Sequence, residues 1–192
     1  THHYESVREI IKIVYSHQYV EDGNWPQWFM FDKYHHLQQL ESHGDIIVWP
    51  LKVVSDYLLT TGDYSILEEK VPFTRQTDFD FTEESYTIFD HIEKEIEYIK
   101  EHFLHDTYLS SYGDGDWDDT LQPANKQLKQ FMVSSWTVAL TYQAVKQYGE
   151  ALMKFKPEKG QELLQLADSI KADFQKYMLS SDVLPGFLYM ED

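Results

Sequence analysis

The chain has 192 residues, contains no cysteine and carries a formal net charge of −17, from 33 acidic and 16 basic side chains. This length allows one domain with a sizeable core, and the absence of cysteine excludes disulfides and thiolate chemistry. The acidic excess argues against nucleic acid and anionic membranes as partners, because both need basic patches, and no apolar run approaches the roughly 20 residues of a membrane span.

Apolar residues recur with the 3.6-residue period of a helix through most of the chain. The stripes predict helices over about residues 4–17, 45–60, 65–70, 88–103, 128–145 and 157–177. Pro50 is tolerated in a first turn, Gly62 is a stop signal, and Ser65 stands at capping-box spacing from Glu68. Residues 18–44, 73–82 and 106–124 are predicted as loops.

The chain shows no sustained period-2 alternation, so we expect an all-α fold with five or six helices. Long loops alternate with short links such as residues 154–157, which is typical of helical hairpins whose long loops gather at one end. A repeat array would need a fixed period of about 34 residues, and none is present. The pattern favours a helical toroid, incomplete in this chain.

The loop at residues 113–120 holds four carboxylates, two glycines and one tryptophan between two helical segments. Clustered carboxylates repel one another, so at least one can hold a raised pKa and act as an acid near neutral pH. Trp117 offers a flat face on which a sugar ring can stack. These features match the needs of an enzyme that protonates a glycosidic oxygen.

This loop has two other interpretations. Asp114, Asp116 and Asp118 have the D-x-D-x-D spacing of a calcium loop, but Asp119 stands where glycine is required and Asn125 where glutamate is required. The calcium interpretation therefore fails, and we predict no metal site. A purely solvated loop is the plainer alternative, and the embedded tryptophan argues against it.

A family resemblance rests on several motifs in order. The segment Gly115-Asp116-Trp117-Asp118-Asp119 resembles the G-D-W-N-D motif of the inverting phosphorylases of glycoside hydrolase family 94. Residues 42–51 resemble the family's S-D-D-L-L-W-L-P segment, and residues 61–73 resemble its T-G-D…L…V-P-F stretch. Residues 16–28 resemble the part just upstream, so the similarity covers about residues 10–150.

The resemblance implies an (α/α)₆ barrel of which this chain is about half, so that it is only part of a larger enzyme. It implies an oligosaccharide substrate, inorganic phosphate as co-substrate and no other cofactor. The phosphate site would lie in the remainder of the parent enzyme, so we expect the isolated chain to be inactive and to self-associate through its exposed inner faces. A cytoplasmic location is expected.

The resemblance also assigns site residues. Asp119 matches the general acid, Trp117 a donor-sugar contact, and Asp45 a carboxylate that hydrogen-bonds the sugar at the nonreducing side. Gln39 stands where the family has an arginine, six residues before that aspartate, and is taken with Asp116 as a further substrate-binding residue.

Departures from the family motif bear on the substrate. Asp118 replaces the usual asparagine, and residues 120–123 replace a Gly-rich continuation, which suggests a subgroup that acts on oligoglucans, with β-1,2-glucan favoured over cellobiose. The predicted reaction is inverting phosphorolysis that yields α-glucose 1-phosphate. Two alternatives stay open: an inverting hydrolase with Asp119 as acid and Asp45 or Asp116 as base, and a non-catalytic helical scaffold.

Overall fold

The computed structural model of the chain describes residues 3–117 and 123–191. Within these residues the fold is mostly helical, with two small antiparallel strand pairs. The helices are α1 (Tyr4–Ser16), α2 (Trp49–Thr61), α3 (Ile88–Glu101), α4 (Lys126–Phe131), α5 (Ser135–Leu152) and α6 (Pro157–Asp173). The strands are β1 (Lys70–Thr74), β2 (Phe81–Thr87), β3 (Met132–Ser134) and β4 (Phe187–Tyr189). None of the described helices is both long and apolar enough to cross a membrane.

The prediction of a helical domain is confirmed, and the described residues add two small strand pairs that the sequence did not predict. Strands β1 and β2 form an antiparallel pair in which Val71 lies opposite Tyr86. The sequence predicts a helix end and a loop in this part of the chain. Val71 and Phe73 are buried while Pro72 between them is only partly covered. This alternation spans too few residues to stand out from the helical background. The toroidal arrangement of the helices stays a prediction.

The helix predicted over residues 128–145 is interrupted. Helix α4 ends at Phe131, and β3 pairs with β4 so that Val133 lies opposite Leu188. Helix α5 then starts after Ser134, whose side chain accepts a hydrogen bond from the Thr137 N–H at 3.4 Å and so caps the helix. The apolar C-terminal segment supplies the strand that makes this interruption possible.

Local capping explains where two further elements begin. The helix predicted at residues 65–70 is a 3₁₀ turn over Tyr64–Glu68, and its cap is Asp63 rather than Ser65, because Asp63 Oδ1 accepts from the Ser65 N–H at 3.2 Å. Helix α3 begins after Thr87, which forms a reciprocal capping box with Asp90. Both caps satisfy N–H groups that the helical ladder leaves free.

The core lies between α2, α5 and α6, with α1 and α3 packed outside them through one apolar face each. Helices α5 and α6 approach each other closely at two glycines. A Cβ added at Gly160 would lie only 2.9 Å from the carbonyl oxygen of Gly149. The fully buried residues of these three helices include Leu51, Val54, Ala144, Val145, Tyr148, Leu163 and Ile170. Burial of this apolar surface holds α2 and α5, which carry the site described below, in fixed relation.

A buried carboxyl group joins three helices. Glu95 of α3 is fully buried, and its two oxygens accept hydrogen bonds from the Tyr15 hydroxyl at 2.8 Å and from the Leu51 N–H at 2.9 Å. The Leu51 N–H belongs to the first turn of α2, where it has no partner within the helix. Burial raises the pKa of the Glu95 carboxyl well above its usual range. Glu95 therefore fixes the start of α2 against α1 and α3.

This carboxyl predicts a pH dependence of stability. Because its pKa is raised, the folded chain binds a proton more tightly than the unfolded chain, and stability falls as pH rises from the usual glutamate pKa toward the raised one. We expect wild type to lose stability relative to Glu95→Gln as pH rises above the usual glutamate pKa toward the raised one. Urea unfolding of both chains measures this difference. Glu97→Gln, at an exposed position of the same helix, is the control, and a difference that stays constant with pH would contradict the assignment.

Candidate functional site

Two loops meet at one end of the helical core: residues 42–45, which lead into α2, and residues 112–117, which follow α3. The Gly44 N–H donates to the Gly115 carbonyl at 2.8 Å, and His43 forms an antiparallel bridge with Gly113. A Cβ at Gly44 would lie 2.4 Å from the Tyr112 carbonyl oxygen, which no side chain tolerates. The crossing of the two loops therefore depends on glycine at position 44.

The second loop is also anchored on its other side. The Tyr112 N–H donates to the Met132 carbonyl at 2.7 Å, and the Gly113 N–H donates to the Lys129 carbonyl at 3.0 Å. Gly115 adopts φ +133°, a conformation that side-chain-bearing residues rarely reach. The loop that carries the G-D-W-D-D motif is thus held between residues 42–45 and the α4–β3 segment.

Asp116 is 1% exposed, and its carboxylate accepts a hydrogen bond from the Ser134 hydroxyl at 2.6 Å. Its backbone carbonyl faces Nδ1 of His43 at 3.0 Å. Since Ser134 also caps α5, Asp116 links the acidic loop directly to the start of that helix. The structure assigns this carboxylate an anchoring role, and its predicted contact with substrate stays a prediction.

Asp45 lies beside this anchor and is 2% exposed. Its Oδ2 accepts a hydrogen bond from Trp49 Nε1 at 3.0 Å. Burial raises the pKa of the Asp45 carboxyl; the Trp49 hydrogen bond opposes this rise, and the negative charge of Asp116 adds to it. Asp45 and Asp116, both predicted as substrate-binding residues, are therefore brought together from separate loops.

Three tryptophans form a partly exposed cluster next to Asp45, which we call the tryptophan cluster. Trp117 is 61%, Trp136 41% and Trp49 39% exposed, and the Trp136 ring lies 5.4 Å from that of Trp117 and 6.4 Å from that of Trp49, between centroids. Exposed indole faces next to hydrogen-bonding carboxylates suit the apolar faces and hydroxyls of a sugar. Of the three, only Trp117 was predicted as a site residue, whereas Trp136 falls within the helix predicted over residues 128–145.

Gln39 lies on an exposed loop that folds back on itself just before residues 42–45. Its Oε1 accepts from Trp28 Nε1 at 3.0 Å, and its backbone N–H donates to the Trp28 carbonyl at 3.1 Å. Gln27, on the same loop, accepts the His43 N–H at 2.7 Å through Oε1. The loop is thereby attached to the site, while the amide of Gln39 is engaged with Trp28.

Asp119, the predicted general acid, lies outside the described residues, as do Asp118 and residues 120–122. The structure describes the chain up to Trp117 on one side and again from Pro123 on the other. Its assignment as acid therefore stays a prediction.

A cleft of about 410 Å³ opens on the His43 side of the crossing, next to the C-terminal end of α3. Its described lining is rich in carboxylates, hydroxyls and amides and includes Asp22, Asn24, Glu41, Tyr98, His102 and Asp114. Within residues 3–117 and 123–191, no group of three or more acidic, histidine or cysteine side chains is placed to hold a metal ion. The surroundings of the site thus suit a neutral, hydroxyl-rich ligand better than an anion.

Comparison with known proteins identifies the family of the chain. The family described as the glycosyl hydrolase 94 superfamily, catalytic domain, matches residues 7–185, so the chain belongs to that family. A 1,2-beta-oligoglucan phosphorylase from Listeria innocua serovar 6a is 54% identical over 187 residues, which cover 97% of this chain and 17% of that protein. A solabiose phosphorylase from Paenibacillus borealis is 28% identical over 170 residues, 87% of this chain and 19% of that protein. The chain thus spans less than a fifth of the length of these relatives, and the family resemblance is confirmed.

The close approach at the loop crossing gives a direct test. Gly44→Ala should destabilise the chain by about 1–3 kcal/mol or more, because the added methyl group meets the rigid backbone of Tyr112. Gly186→Ala is the matched control, since a Cβ there meets no atom within 4 Å. Urea unfolding of the two variants measures the difference. Equal stability of the two variants would contradict the close packing at position 44.

Proposed function

We propose that this chain forms part of the catalytic domain of an inverting glycoside phosphorylase. The parent enzyme would cleave β-1,2-linked oligoglucans with inorganic phosphate and release α-glucose 1-phosphate. The observation that carries the proposal is the 54% identity over nearly the whole chain to a protein named 1,2-beta-oligoglucan phosphorylase. The crossing loops, which bring Asp45 to the G-D-W-D-D segment, support the same reaction class.

The chemistry requires one acid from this chain. Asp119 gives its proton to the glycosidic oxygen as the bond between that oxygen and the anomeric carbon breaks. A phosphate oxygen attacks the anomeric carbon from the opposite face, so a β-glucosidic bond becomes an α-glucosyl phosphate. An inverting hydrolase would need a second carboxylate to activate water, whereas phosphate is itself the nucleophile.

The described residues supply sugar contacts rather than a phosphate site. Asp45 offers a buried acceptor for a sugar hydroxyl, and the tryptophan cluster offers ring faces. Both arginines of the chain are already engaged, Arg8 with Asp63 and Glu69, and Arg75 with Asp78. This distribution favours a phosphate site contributed by the remainder of the parent enzyme.

The hydrolase alternative is less well supported by the same geometry. A general base must reach a water on the opposite face of the sugar, and Asp116, one of the two candidate bases, is 1% exposed and already accepts a hydrogen bond from Ser134. The alternative of a non-catalytic scaffold explains neither the ordered motifs nor the 54% identity to a protein named as a phosphorylase.

Substitution of the acid tests the proposal in the full-length enzyme. Asp119→Asn should lower the rate on an unactivated β-1,2-linked glucan by about 10²–10⁴-fold, and by much less on a donor with a dinitrophenolate leaving group, which needs little protonation. Asp118→Asn, which restores the family residue next to it, is the matched control and should stay close to wild type. Equal losses on both donors would show that Asp119 is not the acid.

Product analysis separates the phosphorylase from the hydrolase. With phosphate, wild type should form α-glucose 1-phosphate, and without phosphate it should release no glucose. Release of free glucose at the same rate without phosphate would identify a hydrolase.

The isolated chain is expected to show no phosphorolysis and to self-associate. Its tryptophan cluster and the apolar groove of about 240 Å³ between α1 and α2, which exposes Ile10 and Val53, leave apolar surface in water. Light scattering at increasing protein concentration should show species larger than a monomer, and Ile10→Lys should weaken the association. A clean monomer throughout would contradict the expectation.

A further inference from the structure

Two consecutive residues of the first loop hold two consecutive carbonyl groups of the second. The Gly44 N–H donates to the Gly115 carbonyl at 2.8 Å, and the His43 ring places Nδ1 3.0 Å from the Asp116 carbonyl. A carbonyl oxygen only accepts hydrogen bonds, so Nδ1 carries the hydrogen in this contact. The ring therefore donates to the backbone three residues before Asp119.

His43 is itself held in place. Its backbone N–H donates to Gln27 Oε1 at 2.7 Å, and its side chain is half-buried between the crossing loops and the cleft. Asp116, whose carbonyl accepts from His43, also accepts a hydrogen bond from the Ser134 hydroxyl through its side-chain carboxylate. Asp116 is thus fixed from two directions, by Ser134 through its side chain and by His43 through its carbonyl.

We propose that His43 is a positioning residue for the general acid. Its Nδ1–H fixes the Asp116 carbonyl and thereby the path of the backbone toward Asp119. The inference rests on the proposed function, in which Asp119 donates the proton. An acid misplaced by about 1 Å can cost about 10²-fold in rate, so a backbone contact three residues before it in the sequence matters.

The test uses two substitutions at position 43 in the full-length enzyme. His43→Asn keeps an N–H donor bonded to Cγ, as Nδ1 is, while His43→Leu removes the donor and keeps apolar bulk. His43→Leu should lower kcat on an unactivated β-1,2-linked glucan by about 10²-fold but lower the rate on the dinitrophenolate donor by less than about 5-fold, with KM for phosphate and glucan unchanged. His43→Asn should recover kcat to within about tenfold of wild type.

His36→Asn, at an exposed histidine of the loop that carries Gln39, is the control and should not change either rate. Equal loss on both donors in His43→Leu would show a role in folding, and a raised KM with unchanged kcat would show a role in binding. Either result overturns the inference, as does a failure of His43→Asn to recover activity.

A double variant separates this inference from the proposed function. In an Asp119→Asn background, His43→Leu should cause no further loss, because residues that act as a unit are not additive. A further loss of about 10²-fold would overturn the positioning role while leaving Asp119 as the acid. If Asp119→Asn alone lowers the rates on both donors equally, the assignment of Asp119 as the acid fails, and the inference fails with it.

Discussion

The site depends on the contact between the backbone at Gly44 and the backbone of residues 112–115. That contact is closer than any side chain permits, and it brings the start of α2 against the acidic loop. One loop hydrogen bond contributes only about 1 kcal/mol net, so a single bond would not hold the crossing. Here several act together, from Gly44, His43 and Tyr112, and the Asp116 side chain adds another through Ser134. The buried Glu95 carboxyl accepts a hydrogen bond from the first turn of α2, so the loop crossing is also connected to the helical core.

The charges around the site favour a neutral sugar over an anion. Two nearly buried carboxylates from different loops are close enough that the charge of Asp116 contributes to the raised pKa of Asp45. Such a pair is tolerated because each member accepts a hydrogen bond, from Trp49 or from Ser134. The same negative charge that suits the hydroxyls of a neutral sugar repels inorganic phosphate. The chain has a net charge of −17, and both of its arginines are paired with carboxylates.

Local patterns predicted α1, the end of α2 at Gly62 and the position of α3, because each depends on one apolar stripe and its stop signal. The break between α4 and α5 was not predictable in this way, since it requires β4, more than 50 residues later, to pair with β3. The approach of Asp45 to Asp116 was not predicted, because periodicity carries no information on which loops meet. Trp136 falls within the helix predicted over residues 128–145, and only tertiary packing shows that its ring is partly exposed.

The tryptophan cluster links the site to the core through Trp49. Its indole N–H is committed to Asp45, so the ring is oriented before any ligand arrives, and Trp136 sits in the first turn of α5, next to the residue that caps it. A sugar that stacks on rings already fixed loses less binding free energy to ordering of side chains than one that must order them. The hydrogen bonds that stabilise the two buried carboxylates therefore also orient the surface that would receive the substrate. This coupling explains why the site is built where α2, α5 and the acidic loop converge rather than on any one of them.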